Sequence, residues 1–308
     1  MQAFEFCRDD VAPRFSDWAF AARGLSAQQK QALFGALCFA YRVADIPHRA
    51  SEAQIAQAQI AWWRNQVQLM MGEDPAPVSN AASSKNRQEN YIDVGSVSNA
   101  IAADSEFSTH PSLQCLAALL KRKPELVTRL QSLVEHAEHD VHFTGYQTQD
   151  EWIKDWSLRT DATWALLLAT VELEMNANWR AIGLFAEWIM LLKQWPRFAK
   201  DGVIYLPTDL LAKAGLSAEA LTAEPESPAF ATLLAEQSLR LTQNARDALT
   251  SLTPIERNQS VVFRRWLHLQ LAWLNATSKQ RFPLYRYRIE LGALQKRWIT
   301  STSAWREF

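Results

Sequence analysis

Asp45 and His48 stand one helical turn apart, so a carboxylate and an imidazole can share a face and work as an acid–base pair. The competing reading is that His48, beside the helix interruption at Pro47, is merely exposed. A denser set follows at Glu135, His136, Glu138, His139, Asp140 and His142. His136 and His139 are three residues apart, a spacing that lets two imidazoles meet one transition metal, with Asp140 beside them. An His-x-x-His pair without a distant third ligand is also common by chance, and a solvated helix end explains the same residues. Near the C-terminus, Arg264, Arg265, Arg281, Arg286, Arg288, Lys296, Arg297 and Arg306 alternate with Trp266, Trp273, Tyr285, Tyr287 and Trp298. Such interleaving suits base stacking or, more simply, a helix with aromatics in the core and cations in solvent. The chain has no Gly-rich phosphate loop, no Gly-x-Ser-x-Gly elbow and no Cys in a catalytic setting.

The elements that must position these groups are helical. Only nine glycines occur in 308 residues, alongside 13 tryptophans and abundant Leu, Ala and Gln, a composition suited to long helices. A lead-in helix is expected over 13–24. Ser26 makes an N-cap for a helix over 27–45 with one apolar face (Leu33, Leu37, Ala40, Tyr41, Ala44). Further helices are expected over 51–71, 94–103, 111–121, 124–142, 148–173, 178–195, 229–249, 254–276 and 284–299, with Pro196 as a break. The Pro-, Ser- and Asn-rich residues 72–90 read as an exposed loop. Short connections between about ten helices predict a single all-α domain over 1–308.

Composition removes several function classes. A formal net charge of −1 favours neither nucleic acid nor an anionic membrane. The three cysteines, Cys7, Cys38 and Cys115, are too widely and oddly spaced for a disulfide framework or a zinc motif, which points to a reducing compartment. The acidic N-terminus lacks a signal-peptide pattern, and the longest apolar run, 164–171, is far short of the ~20 residues of a membrane span. A cytoplasmic protein with at most peripheral membrane contact is expected.

Several landmarks, in order along nearly the whole chain, resemble the squalene/phytoene synthase family. They are the run from Phe39 to Val67 (FAYRVADIPHRASEAQIAQAQIAWWRNQV), Asp140 followed by Thr148-Gln149-Asp150-Glu151-Trp152, the stretch from Gly183 to Tyr205-Leu206-Pro207, and Asp209-Leu210-Leu211 with Ala214-Gly215-Leu216-Ser217. The resemblance implies an isoprenoid-synthase-type helical bundle with a central cavity. It also implies chemistry in which two Asp-rich patches on facing helices hold Mg²⁺ against a diphosphate leaving group. Mapped onto this sequence, the pocket candidates are Tyr41, Arg42, Asp45, Glu187, Lys193, Gln194 and Tyr205.

Set against that chemistry the chain is depleted. In the first patch only Asp45 remains, with Ala44 and His48 at the other acidic positions; in the second, Gln194 and Phe198 replace the two Asp. Met190 and Lys193 replace an Asn and an Arg of the family pattern, and Glu187 replaces a Gln. A neutral amide is a weak Mg²⁺ ligand and a phenyl ring is none. The Pro after the second motif, Trp62-Trp63-Arg64 and Pro283-Leu284-Tyr285-Arg286-Tyr287 resemble an atypical branch of the family that includes a mitochondrial complex I assembly factor. The resemblance therefore implies an assembly or lipid-handling role, with a protein partner or an isoprenoid ligand, no nucleic acid and no cofactor. Mg²⁺ enters only in the alternative, a prenyl-diphosphate transferase with an altered site.

Overall fold

The computed structural model describes residues 2–50, 52–71, 110–223, 227–285 and 289–302. Within them every regular element is a helix: α1 (Ala3–Ala21), α2 (Ala27–Ala44), α3 (Ile46–Arg49), α4 (Ala53–Met71), α5 (Pro111–Arg122), a 3-10 turn (Pro124–Leu126), α6 (Val127–Asp140), α7 (Gln149–Ala169), α8 (Ala177–Lys200), α9 (Thr208–Lys213), α10 (Ala218–Ala223), α11 (Pro228–Thr250), α12 (Pro254–Gln259), α13 (Val261–Lys279) and α14 (Ala293–Thr302). The expected loop over 72–90 and helix over 94–103 lie outside the described residues.

Helix starts follow their caps. Ser26 Oγ accepts from the Gln29 N–H at 3.2 Å and the Gln29 side chain returns to Ser26 N at 3.0 Å. Thr148, Asn176 and Ser227 each accept from the backbone N–H three residues on. Elsewhere the structure corrects the sequence reading. The first helix starts at Ala3, ten residues earlier than expected. The helix expected over 254–276 is divided at Ser260. The last helix begins only at Ala293, so Leu284 and Tyr285 lie in a non-helical segment. Pro196 does not end α8, which runs on to Lys200. An interior proline removes one helix hydrogen bond, but this turn is held on both sides by buried Trp195 and Phe198.

The core is tryptophan-rich. Trp18, Trp152, Trp164, Trp179, Trp188 and Trp195 are all fully buried. Trp18 donates to the Tyr41 hydroxyl at 3.2 Å and Trp188 to Ser238 Oγ at 2.8 Å, whereas the indole N–H groups of Trp152 and Trp195 find no acceptor among the described residues. Trp195 points to α11 and packs on Phe230, ring centroids 4.9 Å apart. The three cysteines, remote in sequence, converge where α1, α2 and α5 meet: neighbouring Cys115 and Cys38 push the Cys7 thiol pKa up, and all three are buried and free. Gly183 sets the approach of α7 to α8, since a Cβ there would collide with Thr160 and Trp164. The connecting loop between these two helices is short, so they run antiparallel. The walls that result surround a cavity of about 690 Å³ between α2, α7, α8 and α13, flanked by α1, α3, α14 and residues 283–285 and 289–291.

Candidate active-site cavity

The solvent-exposed end of the cavity is organised by Asp45, the residue that caps the C-terminus of α2. Its Oδ1 accepts from the Arg197 guanidinium at 2.6 Å and its Oδ2 is paired with Arg49, one turn along α3. Arg197 uses its second nitrogen on the His48 backbone carbonyl at 2.7 Å, so α8 is clamped to α3. Beside this clamp, His48 Nε2 meets the Tyr205 hydroxyl at 3.1 Å, and the Phe198 ring lies 4.9 Å from the imidazole and 4.8 Å from the Tyr205 ring. Burial is the largest effect on His48 and, with the nearby guanidiniums, lowers its pKa below the usual value. His48 is therefore a neutral, aromatic-packed side chain. Burial pushes the Tyr205 phenol up.

Deeper in, Arg159 on α7 is the central charge. It donates to Asp140 at 3.0 Å and lies 3.6 Å from Asp155, which accepts from the Tyr146 hydroxyl at 2.6 Å and lies 3.9 Å from His136 Nε2. Burial opposes the charge on Arg159, but Asp140, Glu187 and Asp155 outweigh it and its pKa is raised. Glu187 faces the same space from α8. Burial raises its pKa, partly countered by Arg159, and it makes no hydrogen bond with a described residue.

At a third wall, Asp17 joins α1 to α8, α13 and α14. It lies 3.1 Å from Lys193 and 2.9 Å from Lys296, and accepts from Gln270 at 3.0 Å. Burial would raise the Asp17 pKa, but the two ammonium groups hold it below the ordinary value. Lys193 also lies 5.0 Å above the Trp273 ring. Between the charged points the lining is apolar and aromatic, including Trp156, Trp164, Leu167, Met190 and Trp266.

The cavity thus brings together Tyr41, Asp45, His48, Glu187, Lys193, Gln194 and Tyr205 from the sequence candidates. Arg42 is not among them. It turns to the opposite side of α2, where it forms a two-pronged pair with Asp10 at 3.0 and 2.8 Å. The suggested metal set is not assembled either: His136 Nδ1 bonds the Ser132 carbonyl at 2.8 Å, His139 is exposed, and Asp140 faces Arg159. Among the described residues no group of three or more His, Cys, Asp or Glu is placed to hold a metal. The C-terminal aromatics divide: Trp266 and Trp273 are buried while Trp298 is exposed, and Lys296, read as part of a basic face, is buried against Asp17. Asp17, Arg159 and Arg197 escaped the sequence reading. Arg159 and Thr163, one turn apart on a helix that otherwise presents Trp156, Trp164 and Leu167 to the interior, were the available signal.

Mg²⁺ does not fit this site. Its one remaining first-patch ligand has both oxygens engaged by guanidinium groups, and the facing positions offer Gln194 and a phenyl ring. Two arginines thus supply positive charge next to Asp45.

An all-α bundle enclosing a cavity between facing helices is the isoprenoid-synthase architecture, and solved structures agree. A dehydrosqualene synthase in complex with ligand superposes with a TM-score of 0.69 at 14% identity, covering 98% of this chain and 95% of that one. The squalene synthase HpnC from Alicyclobacillus acidocaldarius gives 0.64 at 14% identity, covering 91% and 94%. At such identity the likeness carries the fold. The sequence profile of squalene/phytoene synthases matches residues 15–295, and the chain belongs to that family. No curated protein sequence matches it significantly.

Proposed function

We propose that this protein is a family member without metal-dependent prenyl transfer, which handles an isoprenoid or similar lipid in its cavity, as an assembly or lipid-handling factor of the atypical branch. The observation that carries the reading is the pairing of Asp45 with Arg49 and Arg197. A carboxylate with each oxygen in an ion pair already has its charge compensated, and the guanidiniums repel a further cation. The open, aromatic-lined volume remains suited to an apolar chain. No helix among the described residues is long and apolar enough to cross a membrane, so a lipid would reach the cavity from solution, from a partner or by surface contact with a bilayer.

Incubation of the purified protein with Mg²⁺ and farnesyl or geranylgeranyl diphosphate tests this. No pyrophosphate release above background is expected; release at the ~1 s⁻¹ of a working enzyme overturns the reading. One observation favours the alternative of an altered transferase: Glu187 is an unengaged carboxylate in an open cavity. Asp45→Ala separates the two, because a transferase relying on that residue loses turnover while a lipid-handling protein keeps its ligand.

A further inference from the structure

We propose that Glu187 and Arg159 form a polar recognition point inside the cavity that takes the hydroxyl of a neutral isoprenoid alcohol. This rests on the reading that the cavity holds an apolar chain without metal, and it names the chemistry of that ligand.

The placement follows from the helix pair. Because Gly183 lets α8 sit against Thr160 and Trp164 of the antiparallel α7, the next turn of α8, carrying Glu187, lies opposite the preceding turn of α7, carrying Arg159. Both side chains line the cavity, with Thr163 one turn further along α7. Arg159 commits one terminal nitrogen to Asp140 and Asp155, and its side chain stays partly exposed to the cavity it lines. Glu187 makes no hydrogen bond with a described residue. A half-buried carboxylate acceptor and a guanidinium donor lining the same cavity can be bridged by one ligand group that satisfies both.

A hydroxyl has that dual character, since its O–H donates to the Glu187 carboxylate and its oxygen accepts from Arg159. Other head groups fit less well. A phosphate meets the carboxylates of Asp140, Asp155 and Glu187 around a single guanidinium, and is repelled. An ammonium can donate to Glu187 but has no lone pair for Arg159. A hydrocarbon leaves both groups unmet.

Quenching of intrinsic tryptophan fluorescence in EDTA, with the full chain, compares farnesol, farnesyl methyl ether, farnesylamine and farnesene. Farnesol is expected to bind about tenfold more tightly than farnesene or the ether. Glu187→Leu should reduce that preference to near equality, and Glu187→Gln should retain part of it. The wild-type series stands alone should a variant fail to fold. Equal binding of all four overturns the inference and leaves the cavity reading intact, as does tighter binding of the amine. Absence of binding by any of them overturns the cavity reading itself, and the inference with it.

Discussion

Two acidic side chains face the cavity from different walls and are treated in opposite ways. Asp45, at the solvent end, has one oxygen on Arg197 and the other on Arg49. Glu187, in the interior, faces Arg159 without a hydrogen bond to a described residue, while Arg159 is already shared by Asp140 and Asp155. The contrast separates a carboxylate that serves the fold from one that is left for something else. At the end where the family resemblance implies metal, the charge is neutralised within the chain. In the interior, where that resemblance implies a neutral amide, an acid has been introduced and not paired. Asp17, enclosed by Lys193, Lys296 and Gln270, belongs with Asp45.

Substitution at the saturated carboxylates should weaken the fold and at the unsaturated one should not. The largest effect is expected from Asp17→Ala, which strands two mostly buried ammonium groups and should lower unfolding free energy by about 3–5 kcal/mol, read by urea denaturation. A loss below about 1 kcal/mol would remove Asp17 from the structural class. Asp45→Ala should cost about 1–2 kcal/mol, less because its arginine partners are partly exposed and can be rehydrated. Adding Arg197→Met to it should cost little more, and full additivity in that double-mutant cycle would mean that the pair does not interact. Glu187→Leu should change stability by no more than about 1 kcal/mol, towards stabilisation, since it removes a half-buried carboxylate that has no hydrogen bond to a described residue. A loss as large as that at Asp17 would erase the comparison.

The pH dependence sharpens the same contrast, with opposite signs. Asp17 is held below its ordinary pKa in the folded state. Its contribution is therefore present above the unfolded-state value and lost as pH falls through the lower folded value. Glu187 is raised by burial, so its contribution is fully present below the unfolded value and lost as pH rises through the higher folded one. Comparing stability–pH curves of the wild type with Asp17→Asn and Glu187→Gln should flatten the acid limb in the first case. In the second it should remove a decline on going towards neutral pH.

The sequence shows the frame better than the contacts. Ser26, Thr148 and the Pro-flanked helix starts are local signals, because a cap and its N–H lie three residues apart. The all-α class followed from composition and helical spacing. The pairs that define the cavity are not local: Arg197 reaches Asp45 across 152 positions and Lys296 reaches Ser16 across 280. Nothing within either segment announces its partner. Arg42 shows the reverse failure, since its place beside Asp45 in sequence suggested the cavity, but the turn of α2 directs it to Asp10. At Pro196, local propensity was overridden by packing, because the buried Trp195 and Phe198 hold the helix through the proline. The cysteines likewise met only because α1, α2 and α5 meet.

The central claim, that the arginine pair has displaced metal from the Asp45 end, is tested most directly by calorimetric titration of Mg²⁺ into the protein with a non-ionisable farnesyl thiodiphosphate present. The account predicts no saturable metal binding beyond the chelation that the thiodiphosphate shows without protein, and no change in the thermogram on replacing Asp45 by Ala. Saturable Mg²⁺ binding that requires the diphosphate and disappears in Asp45→Ala would contradict it.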